Sequence, residues 1–247
     1  METKILFTIC GRAGSKGVKG KNVKLFCGKP IVHYTLEIYK KYREKHKEHR
    51  ICLAVNTDSE LLKQQVQEFG IECVLVNRKE ELAGDVVAKS DVIRDSLEQA
   101  EKNYNQKIDL VVDLDITSPL RTVKDVEGTI ELVLDNTECN FAYSVVEARR
   151  SPYFNVVNQK ENGFYDRVIP TDFTARQQLP KCYDMNASIY VFEREYLLNL
   201  NPEKRRALIW EMQDTGVLDI DSEQDFELME VLMRYYWEKG KYTCIKG

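Results

Sequence analysis

Apolar residues fall along this chain in two alternating rhythms. KILFTIC (4–10), ICLAVNTD (51–58), ECVLVN (72–77) and IDLVVDLD (108–115) are short apolar runs, several ending in polar or acidic residues. Buried parallel strands behave this way. Between them the spacing lengthens to that of a helix. Ile31, Tyr34, Ile38 and Tyr42 recur behind Pro30, which suits a first helical turn. DSELLKQQVQEFG (58–70) offers Asp58 or Ser59 as N-cap and Gly70 as stop, and 85–101 and 123–135 continue the series. Strands alternating with helices at this interval predict an α/β fold, a Rossmann-like doubly wound and mostly parallel sheet. Its ligand loops belong at the carboxyl ends of the strands.

After residue 140 the rhythm changes. FAYSVVEA (141–148), YFNVVN (153–158) and GFYDRVI (163–169) are short, aromatic and separated by turns. They predict an antiparallel arm, 141–175, inserted into one domain spanning 1–247. No helix is at hand to cover Phe141, Tyr143, Tyr153, Phe154, Phe164 and Tyr165, so the arm is expected to form a homodimer interface. ASIYVFE (187–193) resumes the buried-strand pattern, and SEQDFELMEVLMRYYWEK (222–239) closes the chain as an amphipathic helix.

Composition narrows the function classes. With 247 residues, 43% hydrophobic and 31% charged, the chain can bury a full core. No apolar run approaches a membrane span and the amino terminus lacks a signal-peptide layout, so a cytoplasmic protein without a membrane partner is expected. Cysteines stand singly at 10, 27, 52, 73, 139, 182 and 244 with no C-x-x-C, which reads as reduced thiols and neither a disulfide framework nor a zinc site. A net charge of −4 argues against a nucleic-acid-coating surface. KKYREKHKEHR (40–50) reads as a solvated helix end in which His46 and His49 are poor metal ligands, with nothing acidic or apolar around them.

The candidate chemistry begins in CGRAGSKGVKGKN (10–22), where glycines at 11, 14, 17 and 20 are interleaved with Arg12, Lys16, Lys19 and Lys21. The spacing is neither a Walker loop nor a dinucleotide fingerprint, and Ala13 breaks the pattern of a nucleophile elbow. Glycines let backbone N–H groups approach an oxyanion, and the cations add charge over a polyanion; a triphosphate fits.

This stretch resembles the amino-terminal signature of the cytidylyltransferases that activate nine-carbon 2-keto acids, the CMP-sialic acid synthetase family. NTD (56–58), ELAGD (81–85), TSPLR (117–121), ARQQ (175–178) with Pro180, MNASIY (185–190) and DID (219–221) match in the same order across nearly the whole chain. The resemblance implies CTP phosphates at Arg12, Ser15, Lys16 and Lys21, with Asn22, Arg78 and Asp85 completing the nucleotide site. It implies Mg²⁺ at Asp219 and Asp221, whose alternate positions share one face of an extended segment; Asp221 or Ser222 capping the last helix is the competing reading. Catalysis then rests on Arg12, Lys21, Asp219 and Asp221. The nine-carbon sugar falls to Asp115, Arg121, Arg176, Gln177 and Asn186, with Arg176 or Arg149 for its carboxylate.

Asp115 stands where relatives specific for sialic acid often carry Gln, and is either a further metal ligand or an acceptor for sugar hydroxyls. ARRSPYFN (148–155) and KCYDMN (181–186) resemble the legionaminic acid branch, and Tyr153, Phe154 and Tyr183 suit a sugar with more methyl surface. The expected activity is transfer of CMP from CTP to a nonulosonic acid of legionaminic type. CMP-N-acetylneuraminate or CMP-pseudaminate synthesis are alternatives, and a non-catalytic nucleotide sensor or a bare NTP hydrolase are readings from other classes.

Overall fold

The computed structural model describes residues 2–14, 17–84, 86–173 and 175–245. The chain runs β1 (Lys4–Cys10), β2 (Leu25–Phe26), β3 (Lys29–Pro30), α1 (Ile31–Lys45), β4 (Arg50–Thr57), α2 (Glu60–Phe69), β5 (Val74–Asn77), α3 (Lys89–Tyr104) and β6 (Leu110–Leu114). It continues through α4 (Val123–Leu134), β7 (Phe141–Glu147), β8 (Val157–Gln159), β9 (Tyr165–Arg167), β10 (Tyr183–Glu193), α5 (Arg194–Leu198), β11 (Ala207–Glu211) and α6 (Glu223–Glu238). Seven strands form one sheet in the order β11-β7-β10-β6-β1-β4-β5. All its pairings are parallel except those of β10 with β6 and β7.

The alternation of β1 explains the layering. Ile5, Phe7 and Ile9 join the core beneath α1, α4 and α6, while Leu6 joins the opposite layer with Ile93 and Leu97 of α3. Both faces are apolar because both are covered, and that is why the strand reads as a continuous hydrophobic run. The helix signals act as expected. Ser59 Oγ accepts from Leu62 N at 3.3 Å, and Gly70 takes a left-handed φ of 75° that ends α2 at little steric cost. Thr122 and Ser222 each close a reciprocal capping box, with Asp125 and Asp225.

β1 is the switch point of the sheet, since the chain leaves it for β4 on one side and β6 on the other. The crevice outside the carboxyl ends of these three strands is the favoured ligand position in such a sheet.

Two expectations need correcting, and the apolar pattern missed one strand. Residues 141–147 belong to the main sheet as β7, so the irregular arm begins after Glu147 and carries only the small antiparallel hairpin β8–β9. The aromatics misled because Phe141 serves the sheet layer, stacking on Phe192 with centroids 4.6 Å apart. β11 was not anticipated, for ALIWE is a short edge strand alternating between exposed and half-buried positions. His46 does have acidic neighbours: its Nδ1 lies 2.8 Å from Glu48 and its Nε2 2.8 Å from Glu127 of α4, which the fold brings in from far along the chain. No helix among the described residues is long and apolar enough to cross a membrane.

Candidate active site

At the carboxyl ends of β1, β4 and β6 lies a cleft of about 430 Å³ whose lining includes Arg12, Gly17, Lys21, Asn22, Arg78, Lys89, Asp115, Thr117, Asp219 and Asp221. Seven residues expected at the site therefore converge: Arg12, Lys21, Asn22, Arg78, Asp115, Asp219 and Asp221. Ser15, Lys16, Asp85 and the side chain of Arg176 lie outside the described residues.

The glycine-rich loop is fastened at several points. Gly11 N donates to Asn56 O at 3.1 Å, Ala13 N donates to Asp58 Oδ1 at 2.8 Å, and Asn22 Nδ2 donates to Arg12 O at 3.0 Å. The NTD motif is thus an anchor at the end of β4. It also aims Arg78, whose Nε and Nη2 donate to Asn56 Oδ1 and O, both at 3.0 Å. Gly17 is required for a different reason: a Cβ there would stand 1.9 Å from the carbonyl oxygen of Asp221. The basic loop therefore packs backbone to backbone on the acidic segment. Lys21 fastens the same seam, donating from Nζ to Ile220 O at 2.8 Å and to Asp221 Oδ1 at 3.1 Å.

In the DID segment Ile220 is fully buried, and both flanking carboxylates line the cleft. Ser222 supplies the N-cap of α6, so capping does not consume either aspartate. Asp219 Oδ1 is buried without a hydrogen-bond partner. Burial, reinforced by the charge of Asp115, raises the Asp219 carboxyl above its ordinary range. A buried carboxylate oxygen with no partner, beside a second carboxylate in a cleft lined by the basic glycine-rich loop, fits a hard divalent cation such as Mg²⁺.

Asp115 is placed differently. Its Oδ1 accepts from Thr117 N at 2.9 Å and from Thr117 Oγ1 at 2.7 Å, and Lys89 Nζ lies 2.5 Å from Oδ2. Burial works against the charge, yet Lys89 and Thr117 hold the carboxyl well below the usual range. Lys89 in turn meets Asp113 Oδ2 at 2.8 Å; burial opposes its charge too, but the two carboxylates outweigh that and raise its pKa. Asp113 also accepts from Thr8 Oγ1 at 2.8 Å.

Lys89 and Asp113 were not among the sequence candidates. A signal existed: an aspartate inside the otherwise apolar β6 is a buried charge, and a buried carboxylate calls for a cation. Burial and Asp113 also push the Cys10 thiol up, which keeps it protonated and unsuited to nucleophilic chemistry.

Four expected sugar residues are not at the cleft surface. Arg121 is fully buried. Its guanidinium donates to Ser188 O at 2.6 Å, to Thr35 Oγ1 at 2.7 Å and to the carbonyl of Asp115, so it braces the end of β6 from behind. Asn186 is buried as well, accepting from Ser144 Oγ at 2.6 Å beside a bulge in β10. The bulge has a function for the site: Ser188 O there accepts from Asp115 N at 3.2 Å. Gln177 is exposed on a short 3₁₀ turn, and Arg149 forms an exposed ion pair with Asp214 in the arm region.

A model of the cytidylyltransferase family matches residues 6–241. A "CMP-N,N'-diacetyllegionaminic acid synthase" from Campylobacter jejuni is 38% identical over 234 residues, covering 93% of this chain and 95% of that protein. A "post-translational flagellin modification protein B" from Campylobacter coli is 36% identical over 233 residues, covering 94% and 96%. Among solved structures, a CMP:2-keto-3-deoxy-manno-octonic acid synthetase complexed with CTP superposes with a TM-score of 0.68 at 18% identity. That alignment covers 94% of this chain and 99% of the other, a likeness of fold.

Proposed function

This chain belongs to the cytidylyltransferase family, and from that premise we propose that it transfers CMP from CTP to the anomeric hydroxyl of a nine-carbon 2-keto sugar acid of legionaminic type. The chain is a CTP-dependent enzyme of the CMP-sugar synthetase kind. The observation that carries the reading is the seam where the glycine-rich loop meets DID, which sets Arg12 and Lys21 beside Asp219 and Asp221 in one cleft.

In the reaction the sugar hydroxyl oxygen bonds to the α-phosphorus, the bond from that phosphorus to the bridging oxygen breaks, pyrophosphate leaves with that oxygen, and the hydroxyl proton passes to solvent. Such transfer asks for positioning and charge neutralisation more than covalent help. Arg12 and Lys21 supply fixed positive charge over the triphosphate. Asn22 and Arg78, held by Arg12 O and Asn56, frame the ribose and base side. Asp219 and Asp221 would hold Mg²⁺, which when bound supplies further charge neutralisation at the phosphates.

The acceptor assignment is tested by following pyrophosphate from CTP and Mg²⁺ with each candidate sugar. We expect release to require a sugar, and kcat/KM for N,N'-diacetyllegionaminic acid to exceed that for N-acetylneuraminic acid by more than about 10-fold, roughly 1.4 kcal/mol of transition-state preference. Equal or reversed constants reject the legionaminic assignment. Sugar-independent release would make the chain a hydrolase, and binding without release a sensor.

The arm supports a homodimer. Val157, Phe164, Tyr165, Val168, Ile169 and Phe173 are all exposed around the β8–β9 hairpin, more clustered apolar surface than a lone chain usually leaves in water. Light scattering at micromolar concentration should give twice the mass of the chain, and a monomer there refutes the dimer. The described cysteines are all free, which suits a reducing cytoplasm.

A further inference from the structure

Asp113 of β6 and Asp115, just beyond its end, both turn an oxygen toward the same point. Asp113 Oδ2 lies 2.8 Å and Asp115 Oδ2 2.5 Å from Lys89 Nζ. Asp113 is fully buried and its other oxygen is engaged by Thr8. Asp115 opens on the cleft that also contains Asp219 and Asp221. Paired oxygens converging at this range, next to a polyanion-binding loop, are the geometry of a divalent-cation site; a contraction of roughly 0.5 Å would reach a metal–oxygen bond. The point is filled instead by an ammonium that the first residue of α3 delivers.

We propose that Lys89 is a built-in cation that takes the place of a second metal ion between Asp113 and Asp115, and so confines metal binding to Asp219 and Asp221. The inference rests on reading the cleft as a CTP and metal site. Charge and geometry support it together. Without Lys89, two close carboxylates in a largely buried setting would have no counter-charge between them, and another cation would be drawn in. With Lys89 in place, the ammonium donates to Asp115 Oδ2 and stands in ion-pair contact with Asp113 Oδ2, and both oxygens of Asp115 already have partners. Asp115 then acts as a fixed polar wall of the cleft. Lys89 remains a third exposed and also lies 5.5 Å from the centre of the Tyr190 ring, where the cleft adjoins an apolar groove lined by Ile93, Phe141 and Tyr190.

The test counts bound Mn²⁺ by electron paramagnetic resonance in the presence of saturating CTP. Wild type should bind one ion per chain. Lys89→Met should bind two, the second lost again in Lys89→Met/Asp115→Asn, and added Mn²⁺ should raise the melting temperature of Lys89→Met by several degrees more than that of wild type. Lys89→Gln keeps a hydrogen-bond donor without the charge and serves if the Met variant does not fold; it too should bind the second ion. Two ions in wild type, none in wild type, or one in either Lys89 variant would overturn the proposal. The outcome is separable from that of the acceptor assignment. A wild-type protein that binds one Mn²⁺ with CTP yet transfers to none of the sugars fails the functional reading and leaves the role of Lys89 standing.

Discussion

Asp219→Asn is expected to lose at least about 10³-fold of sugar-dependent pyrophosphate release at ordinary Mg²⁺ concentrations, and to melt no lower than wild type in metal-free buffer. The activity loss follows from the site Asp219 provides, since an amide is a poor replacement for a carboxylate toward a hard cation and metal assistance is worth several kcal/mol. The stability expectation has the opposite sign. Burial and the charge of Asp115 raise the Asp219 carboxyl, so the fold favours its protonated form. That contribution is present at acid pH and is lost as pH rises through the raised value, which leaves neutral wild type carrying a buried charge with one oxygen unpartnered. The amide removes the charge. In thermal melts without metal, the variant should therefore gain on wild type as pH rises, whereas CTP with Mg²⁺ should raise the wild-type transition far more than the variant's. Retained activity, or a variant several degrees less stable at neutral pH, would show that Asp219 is a structural residue.

The parts of this molecule that were legible in the sequence are those governed by local pattern. β1, β4 and β6 are buried on both faces and read as apolar runs, and α2 is bounded by residues whose capping and left-handed roles are intrinsic to Ser59 and Gly70. The seven cleft residues were legible because most of them sit in or beside the motifs that carry the family resemblance, on loops at the ends of strands. Arg121 is expected at the sugar because TSPLR carries the family resemblance, and the structure buries it. Its burial depends on Thr35 and Ser188, far away in sequence, and no local signal announces them. Asn186 is buried in the same way, through Ser144 on a neighbouring strand. Lys89 is one of several charged positions on α3, and only the register of β6 against β1 places Asp113 beside Thr8, with Lys89 on its other oxygen.

Lys21→Ala should lower turnover by at least about 10²-fold, the scale of removing one preorganised electrostatic contact from a transition state. Its effect on stability should be small. The ion pair with Asp221 involves a carboxylate that is 78% exposed, and exposed pairs contribute about 1 kcal/mol or less. Two accounts of the activity loss are separable. Lys21 can act directly on the triphosphate, or it can act by tying the glycine-rich loop to DID through Ile220 O and Asp221. In the second case its contribution passes through partners on that segment, and Lys21→Ala should add little once Asp221→Asn has loosened the seam. In the first case the two losses should nearly multiply, as independent contributions do. We expect multiplication, because Lys21 also holds the carbonyl of Ile220, which Asp221→Asn leaves in place, and so remains aimed at the cleft. Measuring kcat for the two single variants and the double variant at saturating CTP decides it. A double variant no slower than Asp221→Asn alone would reassign Lys21 from phosphate contact to loop fastening, and near-wild-type turnover in Lys21→Ala would remove it from the site.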